Sequence, residues 1–197
     1  MPYPAKLTPE AIQAAAWALL EQGGPAALGM RPLAEALGVR PSSLYRHVGS
    51  REALLSTLAE QAASALRAEL AAAAGLPPRA ALATVAQAYW HFARTRPHAY
   101  DLLLTPVAPQ APGLRTPAGK ALWGALLERV GALTGHPDDT GHAVAYWTFL
   151  HGAAALERAG LYGQSGPQGG VEIGLGALLD RMEAAGHLSS RPAGAPA

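Results

Sequence analysis

The run Leu37-Gly38-Val39-Arg40-Pro41 constrains this chain more than any other stretch. Just before it, Leu33, Ala34 and Leu37 give a short helix one apolar stripe. Pro32 falls in that helix's first turn, where amides have no intrahelical acceptor and a missing N–H costs nothing. Gly38 follows directly, and a glycine there can take the left-handed conformation that ends a helix sharply. Val39 plugs the corner. Pro41 then opens a second helix, with Leu44 and Val48 four apart and facing inward. The segment from Gly29 to Glu52 is therefore expected to hold two short helices meeting at a tight turn and the start of a third.

The second helix is left with Arg40, Ser42, Ser43, Tyr45, Arg46 and His47 on its outward face. From Ala36 to Arg51 there are three arginines and a histidine and no Asp or Glu. The enclosing residues 1–52 are nearly balanced, with Lys6, Arg31, Arg40, Arg46 and Arg51 against Glu10, Glu21, Glu35 and Glu52. The positive charge is thus local to the turn. A short polar helix with clustered donors suits the major groove of double-stranded DNA. The plainer alternative is a helical hairpin whose arginines are only solvated.

The order of these residues resembles the helix-turn-helix of the TetR family of transcriptional regulators. The likeness is carried by Leu33-Ala34, Leu37-Gly38-Val39, Ser43-Leu44-Tyr45-Arg46-His47-Val48 and Arg51-Glu52-Ala53-Leu54-Leu55. Val48 stands where the family often has Phe, and Arg51 where it often has Lys; both keep the residue type. On this reading Arg40, Ser42, Ser43 and Arg46 read base edges. Tyr45, His47 and Arg51 position the phosphates, and Arg31 adds a further contact.

Alanine dominates the apolar half of the composition, and no stretch alternates with period two, so the expected fold class is all-α. A net charge of +1 gives no general pull towards nucleic acid or membrane. The absence of cysteine excludes disulfides and thiolate metal sites, and suits a reducing cytoplasm. With no uncharged apolar run of membrane length and no signal pattern, a cytoplasmic location without membrane partners is expected.

Along the chain, residues 1–7 form a loose arm. Thr8-Pro9-Glu10 opens a first helix with Ile12, Ala16, Leu19 and Leu20 on its buried stripe, ended by Gly23-Gly24. Ser50 caps a long helix over 50–74, in which Leu54, Leu58, Ala62, Leu66 and Leu70 recur every four residues. Residues 1–52 are thus expected to be a DNA-binding domain, joined by that helix to a second domain over 75–188, with a disordered tail over 189–197. Further helices are expected over 79–94, 98–104, 116–134, 138–159 and 171–185. Residues 105–117, with four prolines, form an irregular loop between two of them.

The second region concentrates the large aromatics. A helical layer packing such bulk against alanine can leave a concave apolar pocket, although any one aromatic more often fills core. The region also resembles TetR ligand-binding domains marked by a Trp–His–Gly signature, through Tyr146-Trp147, His151-Gly152, Tyr89-Trp90, Phe92-Ala93 and Arg96-Pro97-His98-Ala99-Tyr100. That resemblance implies a small-molecule effector site, with Trp90, Tyr100, Trp123, Tyr146, Trp147 and His151 as its candidates. The histidines do not present a metal set: His142 and His151 are nine apart, and His136-Pro137-Asp138-Asp139 reads as a helix start. No cofactor is expected. Gly-x-Ser-x-Gly, phosphate-binding and dinucleotide fingerprints are missing, so the chain does not read as an enzyme.

Helix 138–159 carries small residues at Gly141, Ala145, Gly152 and Ala155, and the last helix presents Ile173, Leu175, Leu178, Leu179 and Met182. In the resembled family these two helices pair with their copies, and two-fold symmetry matches a pseudo-palindromic operator. The expectation is a homodimeric repressor released by a small apolar or amphipathic ligand, through a tilt of helix 50–74. The rivals are an α-helical enzyme or ligand carrier without DNA binding, and a helical protein-interaction module.

Overall fold

Thr8 accepts a hydrogen bond from the Ala11 amide at 3.2 Å and Pro9 takes the first helical position, so α1 runs Pro9–Ala27. Its expected end is a break inside that span. Gly24 has φ 70° and ψ −175°, a backbone conformation essentially reserved for glycine. The computed structural model describes residues 7–104, 115–163 and 167–189. Among these, every regular element is a helix: α1, then α2 (Met30–Ala36), α3 (Pro41–Leu44), α4 (Arg51–Glu69), α5 (Pro78–Thr95), α6 (Pro97–Leu104), α7 (Pro117–Thr134), α8 (Thr140–Arg158) and α9 (Gly170–Ser189). The arm with Lys6, most of the proline-rich loop and the tail beyond Ser189 lie outside the described residues.

The long helix expected over 50–74 is α in its first nineteen residues and tightens to a 3-10 turn over Leu70–Ala73. Gly75, with φ 75°, then lets the chain leave. Leu54, Leu58, Ala62, Leu66 and Leu70 are all buried, as their four-residue spacing requires. The Ser50 hydroxyl caps α4 by accepting from the Ala53 amide at 3.1 Å.

The chain divides into two compact units, and not at the expected boundaries. The first comprises residues 1–65 and 96–120, the second residues 66–95 and 121–197. The first unit has a core of Ile12, Ala16, Leu20, Leu28, Leu33, Ala34, Leu44, Leu54, Leu55, Leu58 and Ala59, completed by Leu102 of α6. Helix α6, expected in the second domain, packs on α1. A Cβ at Gly24 would lie 3.0 Å from Nδ1 of His98, so the break in α1 is also where α6 approaches closely. In the same unit, Glu60 on α4 accepts from the Ala118 amide at 2.9 Å and caps the start of α7.

In the second unit, α5 packs on the 3-10 turn, α8 and α9, and α8 packs on α9. Two buried hydrogen bonds fix α5 to α8. The Tyr146 hydroxyl donates to the Leu82 carbonyl at 2.5 Å, and Trp90 Nε1 donates to the Leu150 carbonyl at 3.0 Å. Asp139 caps α8 through the His142 amide at 3.1 Å. Close backbone approach explains two glycines. A Cβ at Gly186 would lie 2.5 Å from the Leu133 carbonyl oxygen, and one at Gly131 would lie 2.8 Å from that of His136. Among the described residues, no helix is long and apolar enough to cross a membrane.

Candidate nucleic-acid interface

The turn between α2 and α3 ends one helix and aims the next. Gly38 has φ 65°. The Val39 amide donates to the Ala34 carbonyl at 2.9 Å and the Gly38 amide to Glu35 at 3.1 Å, the paired bonds of a Schellman motif. Nothing lies within 4 Å of where a Gly38 Cβ would be, so conformation, not space, demands glycine here. Val39 packs against the core at the corner, as its position between the helices suggested.

Helix α3 is shorter than expected: only Pro41–Leu44 is α-helical. Its turns continue, with the His47 and Val48 amides both donating to the Leu44 carbonyl at 2.8 Å. Leu44 is 0% exposed and anchors the element, whereas Tyr45, its neighbour, is 57% exposed. Arg31, Arg40, Ser42, Arg46 and His47 are exposed and Ser43 is half-buried. The structure therefore gathers Arg40, Ser42, Tyr45, Arg46 and His47 on the outer side of one buried leucine. Short polar segments held this way present donors to base edges and phosphates.

Arg51 departs from its expected role. Its Nε donates to the Leu28 carbonyl at 2.8 Å and its Nη2 to the Pro25 carbonyl at 2.7 Å. Both carbonyls lie where α1 ends and the chain turns towards α2, and that of Pro25 also accepts from the Leu28 amide at 3.4 Å. The guanidinium thus ties the linker to the first turn of α4, and its two fixed bonds point into the protein rather than towards a phosphate. A charged fork bridging two carbonyls is a strong positioning device.

The second unit contains a cleft of about 910 Å³ bordered by α5, α8, the following linker and the start of α9. Trp90, Arg94, Phe149, Glu157, Tyr162 and Glu172 contribute its aromatic and charged lining. Of the six expected effector residues only Trp90 borders it. Tyr146 is completely buried core, and that burial drives its phenol far above the usual range. Tyr100 belongs to the first compact unit. Trp123, Trp147 and His151 form a separate aromatic ladder: the two indoles meet edge-on at 6.2 Å, and Trp147 lies 6.5 Å from the His151 ring. Burial, then the Arg158 charge, holds His151 below its ordinary pKa. The missed lining had a legible signal: Trp90 and Arg94, and Phe149, Gly152, Ala153 and Leu156, share faces at helical spacing. Among the described residues, no three His, Asp or Glu side chains cluster as a metal site.

Comparison with known proteins covers both units. Residues 12–58 match the family model described as bacterial regulatory proteins, tetR family, and residues 82–182 match the tetracyclin repressor-like C-terminal domain. No curated protein matches. Among solved structures, a protein of unknown function from Rhodococcus sp. RHA1 is similar at 27% identity and TM-score 0.74, over 93% of this chain and 97% of its own. A TetR transcriptional regulator from Streptomyces coelicolor is similar at 22% identity and TM-score 0.68, over 91% and 99%. A variant TetR from Acinetobacter baumannii AYE, solved in complex with minocycline, is similar at 20% and 0.64, over 94% and 99%. With both halves matched and the donor-bearing turn in place, the chain belongs to the TetR family and is a DNA-binding transcriptional regulator.

Proposed function

We propose that the protein is a homodimeric repressor that leaves a pseudo-palindromic operator when a small apolar or amphipathic molecule enters the second unit. The observation that carries the DNA half of this reading is the contrast between Leu44, fully buried, and the exposed donors that follow it. On this reading Arg40, Ser42, Ser43 and Arg46 meet base edges, Tyr45 and His47 meet phosphates, and Arg31 adds a contact from α2. Arg51 is withdrawn from that set and organises the turn instead.

Dimerisation is supported by apolar side chains left exposed on the last two helices: Val144 on α8, and Ile173 and Leu188 on α9. One recognition element reads only a few base pairs, so two related by a two-fold axis are needed for a specific site. The effector acts by favouring a dimer in which the two recognition elements no longer match successive grooves. Helix α4 passes without interruption from the first unit into the second, which supports it as the connecting lever.

The test is selection of bound fragments from genomic DNA with the purified protein, followed by a salt titration on the selected site. Saturable binding of one palindromic sequence, with log affinity falling linearly against log salt, is the expected result. Affinity indistinguishable between selected and random DNA defeats the operator reading. Candidate ligands added to the preformed complex then test release.

A further inference from the structure

We infer that the cleft of the second unit selects a cationic amphiphile: an organic cation carried on an aromatic or branched apolar body. The inference rests on the reading of this cleft as the effector site. Its apolar surface comes from aromatic rings set at angles. Trp90 and Phe149 meet edge-on, with centroids 6.4 Å apart and planes 66° apart. The Tyr162 hydroxyl donates to the Ala153 carbonyl, which fixes a third ring at the rim. Leu156 and Leu161 also border the cleft and are exposed, so an apolar body would cover surface now open to water.

The charges are unequal. The lining holds one guanidinium, Arg94, and two carboxylates, Glu157 and Glu172. Arg94 reaches both Glu157 oxygens only at 3.4 Å, with the two side chains 48% and 30% exposed, so the pair is loose. Pairing them leaves Glu172, in the first turn of α9, as the uncompensated charge of the lining. The Tyr162 phenol is pushed up by burial and then by Glu157 and Glu172, so the fields of both carboxylates meet at one ring. A cation seated there gains carboxylates and the faces of indole and phenol. An anion meets a lining whose carboxylates outnumber its arginine two to one. The cleft's volume is at the upper end of small-molecule sites, which run to about 1,000 Å³.

Two ions of matched shape and opposite charge, tetraphenylphosphonium and tetraphenylborate, test this on the full-length purified protein by calorimetry and by quenching of tryptophan emission. The cation binds and the anion does not. Glu172→Gln weakens cation binding about fivefold to tenfold, the size of one partly exposed charge contact, and Arg94→Gln strengthens it. Glu172 is exposed, so its variant keeps the fold and loses at most the small contribution of a first-turn carboxylate. Equal binding of both ions, preference for the anion, binding of neither, or an unchanged Glu172→Gln variant overturns the inference. So does cation binding that disappears as chains associate, which assigns the cleft to a second copy. Operator release is followed in parallel. Cation binding without release defeats the release mechanism alone, whereas release by compounds without regard to charge defeats this inference alone.

Discussion

At Arg51 the guanidinium commits two hydrogen bonds to the carbonyls of Pro25 and Leu28, in a partly buried setting. Arg51→Ala leaves both carbonyls without their charged donor, and the expected loss of stability is about 2 kcal/mol, read as a lowered unfolding midpoint. Because no phosphate contact is removed, the slope of log affinity against log salt stays at the wild-type value when measured where both proteins are folded. A slope smaller by about one returns Arg51 to the phosphates. Arg46 sits in the opposite situation, exposed just beyond buried Leu44. Arg46→Ala is expected to cost about 1–3 kcal/mol on the operator and far less on random DNA, with no change in the thermal melt. Equal losses on both DNAs would make it a phosphate contact instead.

Helix starts and stops were legible because each has a local chemical cause. Thr8, Ser50 and Asp139 accept from amides three residues on, and Gly38 closes α2 with the bonds a helix end leaves open. Partners were not legible. The Pro97 boundary says where α6 begins but not that it docks on α1, and Tyr100 went with it. Aromatic content did not separate wall from filler: Trp90 borders the cleft, while Tyr146 is fully buried. Close helix approach leaves no periodic trace either. Gly186→Ala drives a methyl to 2.5 Å from the Leu133 carbonyl, and an overpacking cost of about 1–3 kcal/mol is expected in a denaturant melt. The same variant unfolding at wild-type denaturant concentration would mean that α9 shifts freely. The Asp139 cap carries a pH signature. Burial opposes its charge, yet hydrogen bonds from the His142 backbone and ring hold its carboxyl below the usual range. A lowered folded pKa gives stability that is present above the unfolded value and lost as pH falls through the folded one. Asp139→Ala should therefore cost about 1 kcal/mol at neutral pH, a gap that begins to close below about pH 4. A gap independent of pH would remove the carboxylate from the explanation.

For the whole molecule, the question is what covers the apolar side chains that the single chain leaves in water. Ile173 is 75% exposed on α9 and Leu188 is 68% exposed on the same helix, and neither contributes to its own chain's core. Exposed leucines scattered singly need no explanation. Here α8, which packs on α9 and leaves Val144 exposed, also carries Gly141, Ala145 and Ala155, small residues that let a facing helix approach closely. A second copy related by a two-fold axis meets both needs, since the same patch serves each partner. Ile173→Glu then places two like charges in a desolvated seam while removing nothing from the fold of either chain. Sedimentation should shift to the single-chain mass with the secondary structure unchanged. Operator affinity should fall by about 100-fold or more, because one recognition element alone retains only its few base pairs and its phosphate contacts. Affinity for random DNA, which depends on charge density near each contact, should fall much less. A wild-type protein that sediments as one chain while holding its operator, or an Ile173→Glu variant that binds the operator undiminished, would separate DNA recognition from the α8 and α9 surface.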